Sequence, residues 1–140
     1  MDIVVDTAPA EADYKAIYDG LAAFNAAAVG KPWQFAPLAI LLKDDQGVTV
    51  GGLWGGTFFD WLFIELLYVP ETLRGRALGS GLMAKAEAHA REQQLTGIWL
   101  DTFSFQARPF YEKLGYAVVG EIVDLPPGGA RYFLSKRLKA

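Results

Sequence analysis

The stretch Leu67-Tyr68-Val69-Pro70-Glu71-Thr72-Leu73-Arg74-Gly75-Arg76-Ala77-Leu78-Gly79-Ser80-Gly81 decides how the rest of this 140-residue chain is read. An apolar run from Trp61 to Val69 leads into it and has the length and character of a buried strand. An alanine-rich segment, Gly79 to about Gln94, leads out of it with Leu78, Leu82, Ala86 and Ala90 on one helical face. Between them lies a turn carrying Gly75, Gly79 and Gly81 together with Arg74 and Arg76. Glycines let backbone approach a ligand closely, and successive N–H groups at a helix start attract anions. Guanidinium groups suit phosphate oxygens. The local expectation is a diphosphate cradle.

Two patterns compete for this turn. Arg74-x-x-Ala77-x-Gly79 resembles the Arg/Gln-x-x-Gly-x-Gly/Ala signature of the GNAT superfamily of acyl-CoA-dependent N-acyltransferases, with alanine at the first glycine. Leu67-x-Val69 resembles the Leu-x-Val that usually precedes it. Gly79-Ser80-Gly81-Leu82-Met83-Ala84 satisfies the dinucleotide fingerprint G-x-G-x-x-A, with Asp101 about twenty residues on. That fingerprint needs its first glycine directly after the strand, whereas about ten residues intervene here. A second segment decides between them. Gln106-Ala107-Arg108-Pro109-Phe110-Tyr111-Glu112-Lys113-Leu114-Gly115-Tyr116 resembles the GNAT segment A-x-x-[apolar]-Y-E-K-L-G-[F/Y] nearly residue for residue.

Composition bounds the answer independently. Residues 1–140 read as a single domain, long enough to bury a core without staples. With 52% hydrophobic and 14% aromatic residues the chain is not a disordered one. A net charge of −3 offers no general attraction to nucleic acid or an anionic membrane. The apolar runs are too short to span a bilayer, and no signal-peptide pattern opens the chain, so the cytoplasm is expected. Zero cysteines exclude a disulfide framework and a thiolate nucleophile, and one histidine argues against zinc. No metal is expected.

Taken in order, Asp2 to Val5 reads as a first strand and Thr7-Ala8-Pro9 as a helix start, with Glu11 and Asp13 in the first turn. Tyr14, Ile17, Leu21, Phe24 and Ala28 then form an apolar stripe expected to be buried. Phe35–Lys43 and Val48–Trp54 are strands joined by Asp44-Asp45-Gln46-Gly47. Gly55-Gly56-Thr57 is expected to open a hairpin into Trp61–Val69. A strand at Gly97–Thr102, a short helix at Gln106–Leu114 and strands at Tyr116–Val123 and Arg131–Leu138 complete the chain. The order β-α-β-β-β-α-β-α-β-β predicts an α/β (mixed α+β) fold. Its single mixed, mostly antiparallel sheet carries helices on both faces. It matches the usual GNAT order except for that family's frequent second short helix, a remnant of which is sought in Ala27–Phe35.

The resemblance implies a specific site. In GNAT proteins the strand carrying Leu67-x-Val69 splays from its neighbour and pantetheine lies in the gap. Backbone groups of Leu67, Tyr68 and Val69 would hold the pantetheine amides. Arg74, Gly75, Arg76, Ala77, Leu78, Gly79 and Ser80 would hold the pyrophosphate. A methyl at Ala77 is compatible if its φ is negative. Ser104 stands where many members carry asparagine. The cosubstrate implied is acetyl-CoA, the acceptor a small-molecule or peptide amine, and the family is often homodimeric. An exposed C-terminal strand, Arg131–Leu138, would suit such pairing.

N-acyl transfer from a thioester needs a neutral amine, a polarised carbonyl and a stabilised leaving thiolate. An alkylammonium has a pKa of about 10.4, so a base or water relay must take its proton near neutrality. Strand alternation puts Trp61, Phe63, Glu65, Leu67 and Val69 on one face, and Glu65 among apolar neighbours becomes the candidate base. By resemblance, the Leu67 N–H is the oxyanion donor and Tyr111 the acid. Trp33, Trp54, Phe58, Phe59, Trp61 and Asn25 are weaker candidates for the acceptor side, and His89 is a helix-surface residue. The competing readings are a nicotinamide-dinucleotide module on Gly79–Ala84 and Asp101, and a non-catalytic CoA-binding regulatory domain.

Overall fold

A computed structural model describes residues 1–139, which fall into two compact units, Met1–Gln34 and Phe35–Ala140. The first unit is one helix with its leader. α1, Glu11–Val29, starts where the Asp13 carboxylate accepts from the Ala10 N–H at 2.9 Å. It ends at Gly30, whose left-handed φ of 74° lets its N–H reach the Ala26 carbonyl. Tyr14, Ile17, Leu21 and Phe24 share a face as the spacing predicts, but none is buried. A single helix supplies no second surface within its own unit against which a stripe can be covered. The strand expected at Asp2–Val5 does not form either. The segment has no regular structure and the unit holds no partner strand to pair it. No helix occurs between α1 and Phe35, so the remnant sought in Ala27–Phe35 is only the end of α1.

The second unit is built on a six-stranded sheet. Its elements are β1 (Ala36–Lys43), β2 (Thr49–Phe58), β3 (Trp61–Tyr68), α2 (Leu78–Glu92), β4 (Gly97–Phe103), α3 (Arg108–Lys113), β5 (Ala117–Val123) and β6 (Ala130–Arg137). The spatial order is β1-β2-β3-β4-β6-β5, antiparallel throughout except for the β3–β4 pair. A parallel neighbour requires a crossover, and α2 supplies it. Leu53, Leu62, Ile64, Ile98, Leu100 and Leu134 point from the strands into one core with Leu82, Met83, Ala86 and Ala90 of α2 and Tyr111 of α3. Each fully buried aliphatic side chain there contributes about 1.5–3 kcal/mol, which holds β3, β4 and β6 to one register.

Two boundaries differ from the pattern reading. Gly55, Gly56 and Thr57 lie inside β2, and the hairpin turns at Phe59-Asp60, whose φ values of 48° and 64° are those of a two-residue primed turn. β6 is an interior strand between β4 and β5, so the exposed edge on that side is β5 and not Arg131–Leu138. The pattern missed this because strand order is not written in chain order.

Candidate active site

The site begins with a fault in the sheet. Trp54 pairs with Leu66 and Gly55 with Ile64, so Glu65 is an extra residue on β3. Such a bulge bends its strand and strengthens the local twist. Only glycine fits opposite it, because a Cβ on Gly55 would stand 2.0 Å from the Phe63 carbonyl oxygen. Pairing of β3 with β4 runs from Trp61–Gly97 to Ile64–Leu100 and stops there, one residue before the bulge. Beyond that point Leu66, Leu67 and Tyr68 still pair with β2, while Asp101, Thr102 and Phe103 still pair with β6. The two strands therefore part with their outer ladders intact.

The bulge also overturns the expected alternation. Leu62 and Ile64 point into the core, and after the extra residue Leu67 and Val69 pack against that same core. Trp61 and Phe63 lie on the other parity, so they do not share a face with Leu67, and Glu65 is exposed instead of enclosed by apolar neighbours.

Past the parted strands comes the turn into α2. A short 3₁₀ turn, Glu71–Leu73, is closed by the Arg74 N–H on the Glu71 carbonyl, and Arg74 Nε donates to the Val69 carbonyl at 3.1 Å. One guanidinium edge thus braces the loop. Ala77 is the residue before α2 and has φ 57° and ψ 24°. Its φ is positive, contrary to the condition set for a harmless methyl group, and alanine occupies the left-handed region that favours glycine. No side chain caps α2 and no acidic residue stands in its first turn. The first intrahelical acceptor, Ala77 O, is taken by the Gly81 N–H at 3.0 Å and by Ser80 Oγ at 3.1 Å. The amides of Leu78, Gly79 and Ser80 precede that bond and have no intrahelical acceptor. With Arg76 exposed beside them, this helix start is suited to an anion.

α3 brings Tyr111 to the same core at 7% exposure, packed edge-on against Phe110 and Tyr116. Burial pushes its phenol up to about 12, and the nearby charge of Asp101 adds to the shift. Gln106 aims the helix. Its Oε1 accepts from the Phe103 N–H at 2.7 Å and from the Thr102 hydroxyl at 3.2 Å, and Thr102 is itself buried. Pattern reading passed over Thr102 and Gln106, because a side chain folding back onto a strand end carries no periodic signal.

Ser104 accepts the Ala130 N–H at 3.0 Å and so pins the start of β6. Asp101 takes the Arg131 guanidinium on both oxygens, at 3.1 and 2.9 Å. Its carboxylate is therefore occupied where the dinucleotide reading needs it for ribose. Ten residues separate Tyr68 from Gly79, which lies inside α2 instead of directly after a strand. Trp54, Phe58, Phe59 and Trp61 lie on β2, β3 and their turn, whereas Asn25 and Trp33 belong to the first unit. His89 is a half-buried residue of α2.

Comparison with known proteins agrees with this geometry. The model of the acetyltransferase (GNAT) family matches residues 10–116. The chain belongs to the GNAT acetyltransferase family. Acetyltransferase Atu2258 of Agrobacterium fabrum (strain C58) is 37% identical over 135 residues, 96% of this chain and 97% of that one. The blasticidin-S acetyltransferase of Streptomyces morookaense is 42% identical over 95 residues, 67% of this chain and 70% of its own. The crystal structure of a candidate acetyltransferase from Agrobacterium tumefaciens has a TM-score of 0.93 and 34% identity, covering 99% of this chain and 100% of that one. In this GNAT acetyltransferase the parted strands, the uncapped helix start and the buried tyrosine all lie within Phe35–Ala140. No helix among the described residues is long and apolar enough to cross a membrane.

Proposed function

We propose that the protein transfers the acetyl group of acetyl-CoA to a primary amine of a small molecule by direct attack in a ternary complex. The observation that carries the proposal is the end of β3–β4 pairing at Ile64–Leu100 on the same stretch of chain that runs on into the uncapped start of α2. An extended pantetheine fits between parted strands, and its pyrophosphate fits the Leu78, Gly79 and Ser80 amides with Gly75, Arg76 and Ala77 beside them. Arg74 serves the loop with Nε and the phosphates with its remaining N–H groups. Ser104, its lone pair engaged by Ala130, has a hydroxyl proton left to offer the cofactor. Tyr68 and Val69 supply backbone only.

The chemistry follows from these groups. The amine nitrogen attacks the thioester carbon, the C–N bond forms, and the C–S bond breaks with its electron pair on sulfur. The Leu67 N–H steadies the oxyanion, and such a donor is typically worth a few kcal/mol. Glu65, exposed on the bulge, takes the amine proton directly or through water. Tyr111 stays protonated throughout the neutral range. A phenol at about 12 is a weaker acid than a thiol at about 8.5, so it stabilises the departing sulfur chiefly as a hydrogen-bond donor. The name of the blasticidin-S relative supports a small-molecule acceptor. The acidic net charge favours a cationic one.

The test is release of CoA from acetyl-CoA against a panel of amines, read with a thiol reagent. The chain has no cysteine to contribute background. Wild type should turn over at least one amine, and Tyr111→Phe should lower kcat about a hundredfold with acetyl-CoA binding retained. A wild type inert on every amine would leave a CoA-binding role instead.

A further inference from the structure

Glu87, Lys136 and Tyr116 form a part-buried cluster that the proposed chemistry does not use. Glu87, on α2, accepts at Oε1 from the Tyr116 hydroxyl at 3.1 Å and from Lys136 Nζ at 2.9 Å. Lys136, on β6, also donates to the Leu114 carbonyl at 2.8 Å, and Leu114 is the residue that ends α3. Tyr116 closes the circuit, since its N–H donates to the Tyr111 carbonyl at 3.1 Å and its ring meets the Tyr111 ring edge-on at 6.2 Å. The ammonium lies 5.6 Å from the Tyr116 ring centre. The Lys136 and Glu87 side chains are only 24% and 19% exposed.

The six residues of α3 are too few to hold a helix by their own hydrogen bonds, and no side chain caps its start. It must be fixed from outside. Gln106 does so at one end, and Lys136 at the other. Replacing an ion pair in such a position by apolar packing often costs little stability, but apolar packing has no direction. A carboxylate that binds one donor from β6 and another from the turn between α3 and β5 does have direction. Through Lys136 on the Leu114 carbonyl and Tyr116 on the Tyr111 carbonyl, it links α2, whose first turn offers the anion cradle, to α3, which carries the phenol.

We propose that Glu87, Lys136 and Tyr116 are positioning residues that set the Tyr111 hydroxyl at its working distance from a thioester whose phosphates are anchored on α2. The inference rests on the reading of Tyr111 given above. Lys136→Met keeps the stem and removes the ammonium. It should lower kcat between about ten- and a hundredfold while the acetyl-CoA dissociation constant stays within about twofold. Lys136→Arg should recover part of the loss. Tyrosinate absorbance, taken as the difference between each background and the same background carrying Tyr111→Phe, should titrate at a different pH in Lys136→Met than in wild type. Glu87→Gln supplies a second variant should Lys136→Met fail to fold. A cluster that merely stabilises the fold would lower Tm and leave both the kcat-to-KM split and the Tyr111 titration unchanged, and that result overturns the proposal. If Tyr111→Phe turns over like wild type, the donor role of Tyr111 falls by itself. A shifted titration in Lys136→Met then still supports the clamp on the ring, and an unshifted one refutes it.

Discussion

Ala77 concentrates the conflict between stability and function at the scale of one residue. An L-residue in the left-handed region costs roughly 1–2 kcal/mol, and glycine avoids that cost while losing about 0.5–1 kcal/mol in chain entropy. Ala77→Gly should therefore raise unfolding free energy by about 0.5–1 kcal/mol in a denaturant titration, with acetyl-CoA affinity retained or improved. A destabilised variant would mean that the methyl group makes contacts outweighing its backbone strain. Tyr111 shows a different conflict. The burial that holds it in place also holds its proton, so the side chain offers a hydrogen bond more readily than a proton.

At the scale of elements, the β3 bulge and the α2 start cooperate. The bulge turns β3 from β4 so that backbone groups open into a gap, and the uncapped helix offers its first amides from Leu78 onward, at the end of the connection that follows β3. Gly55 is the residue on which this depends. Gly55→Ala places a methyl carbon against the Phe63 carbonyl, and the ladder must shift to relieve it. The variant should lose at least about 2 kcal/mol in thermal or denaturant unfolding and lose acetyl-CoA affinity with it. Full affinity in a folded Gly55→Ala protein would show that the gap does not need the bulge. The α2 start carries the opposite lesson. A capping carboxylate would stabilise the helix, and its absence leaves the amides and the dipole to an external anion.

For the whole molecule, the family assignment makes a prediction that needs no knowledge of the acceptor. Acetyl-CoA at a hundred times its dissociation constant should stabilise the fold by about 2.7 kcal/mol, raising Tm by roughly 5–10 °C at this chain length. NAD at the same concentration should leave Tm unchanged. A shift with NAD alone would reverse the reading of the glycine turn. The sequence by itself determined the strand, turn and helix around Leu67–Gly81, because short-range spacing is translated directly into structure by pleat and helix periodicity, and its two motifs determined the family by resemblance. Only the tertiary structure decided the rest. Glu65 leaves the face of Leu67 because of a bulge set by a neighbouring strand. Asp101 meets Arg131, and Glu87 meets Lys136, across thirty and forty-nine residues of chain. Ala77 takes a positive φ at the residue before α2, a conformation that its residue type does not announce. Asp2–Val5 stays without a strand because its own unit has no partner for it. Periodicity reports which way a residue faces within its own element, whereas a bulge, a strand order and a long-range ion pair are made between elements, where local spacing carries no record of the partner.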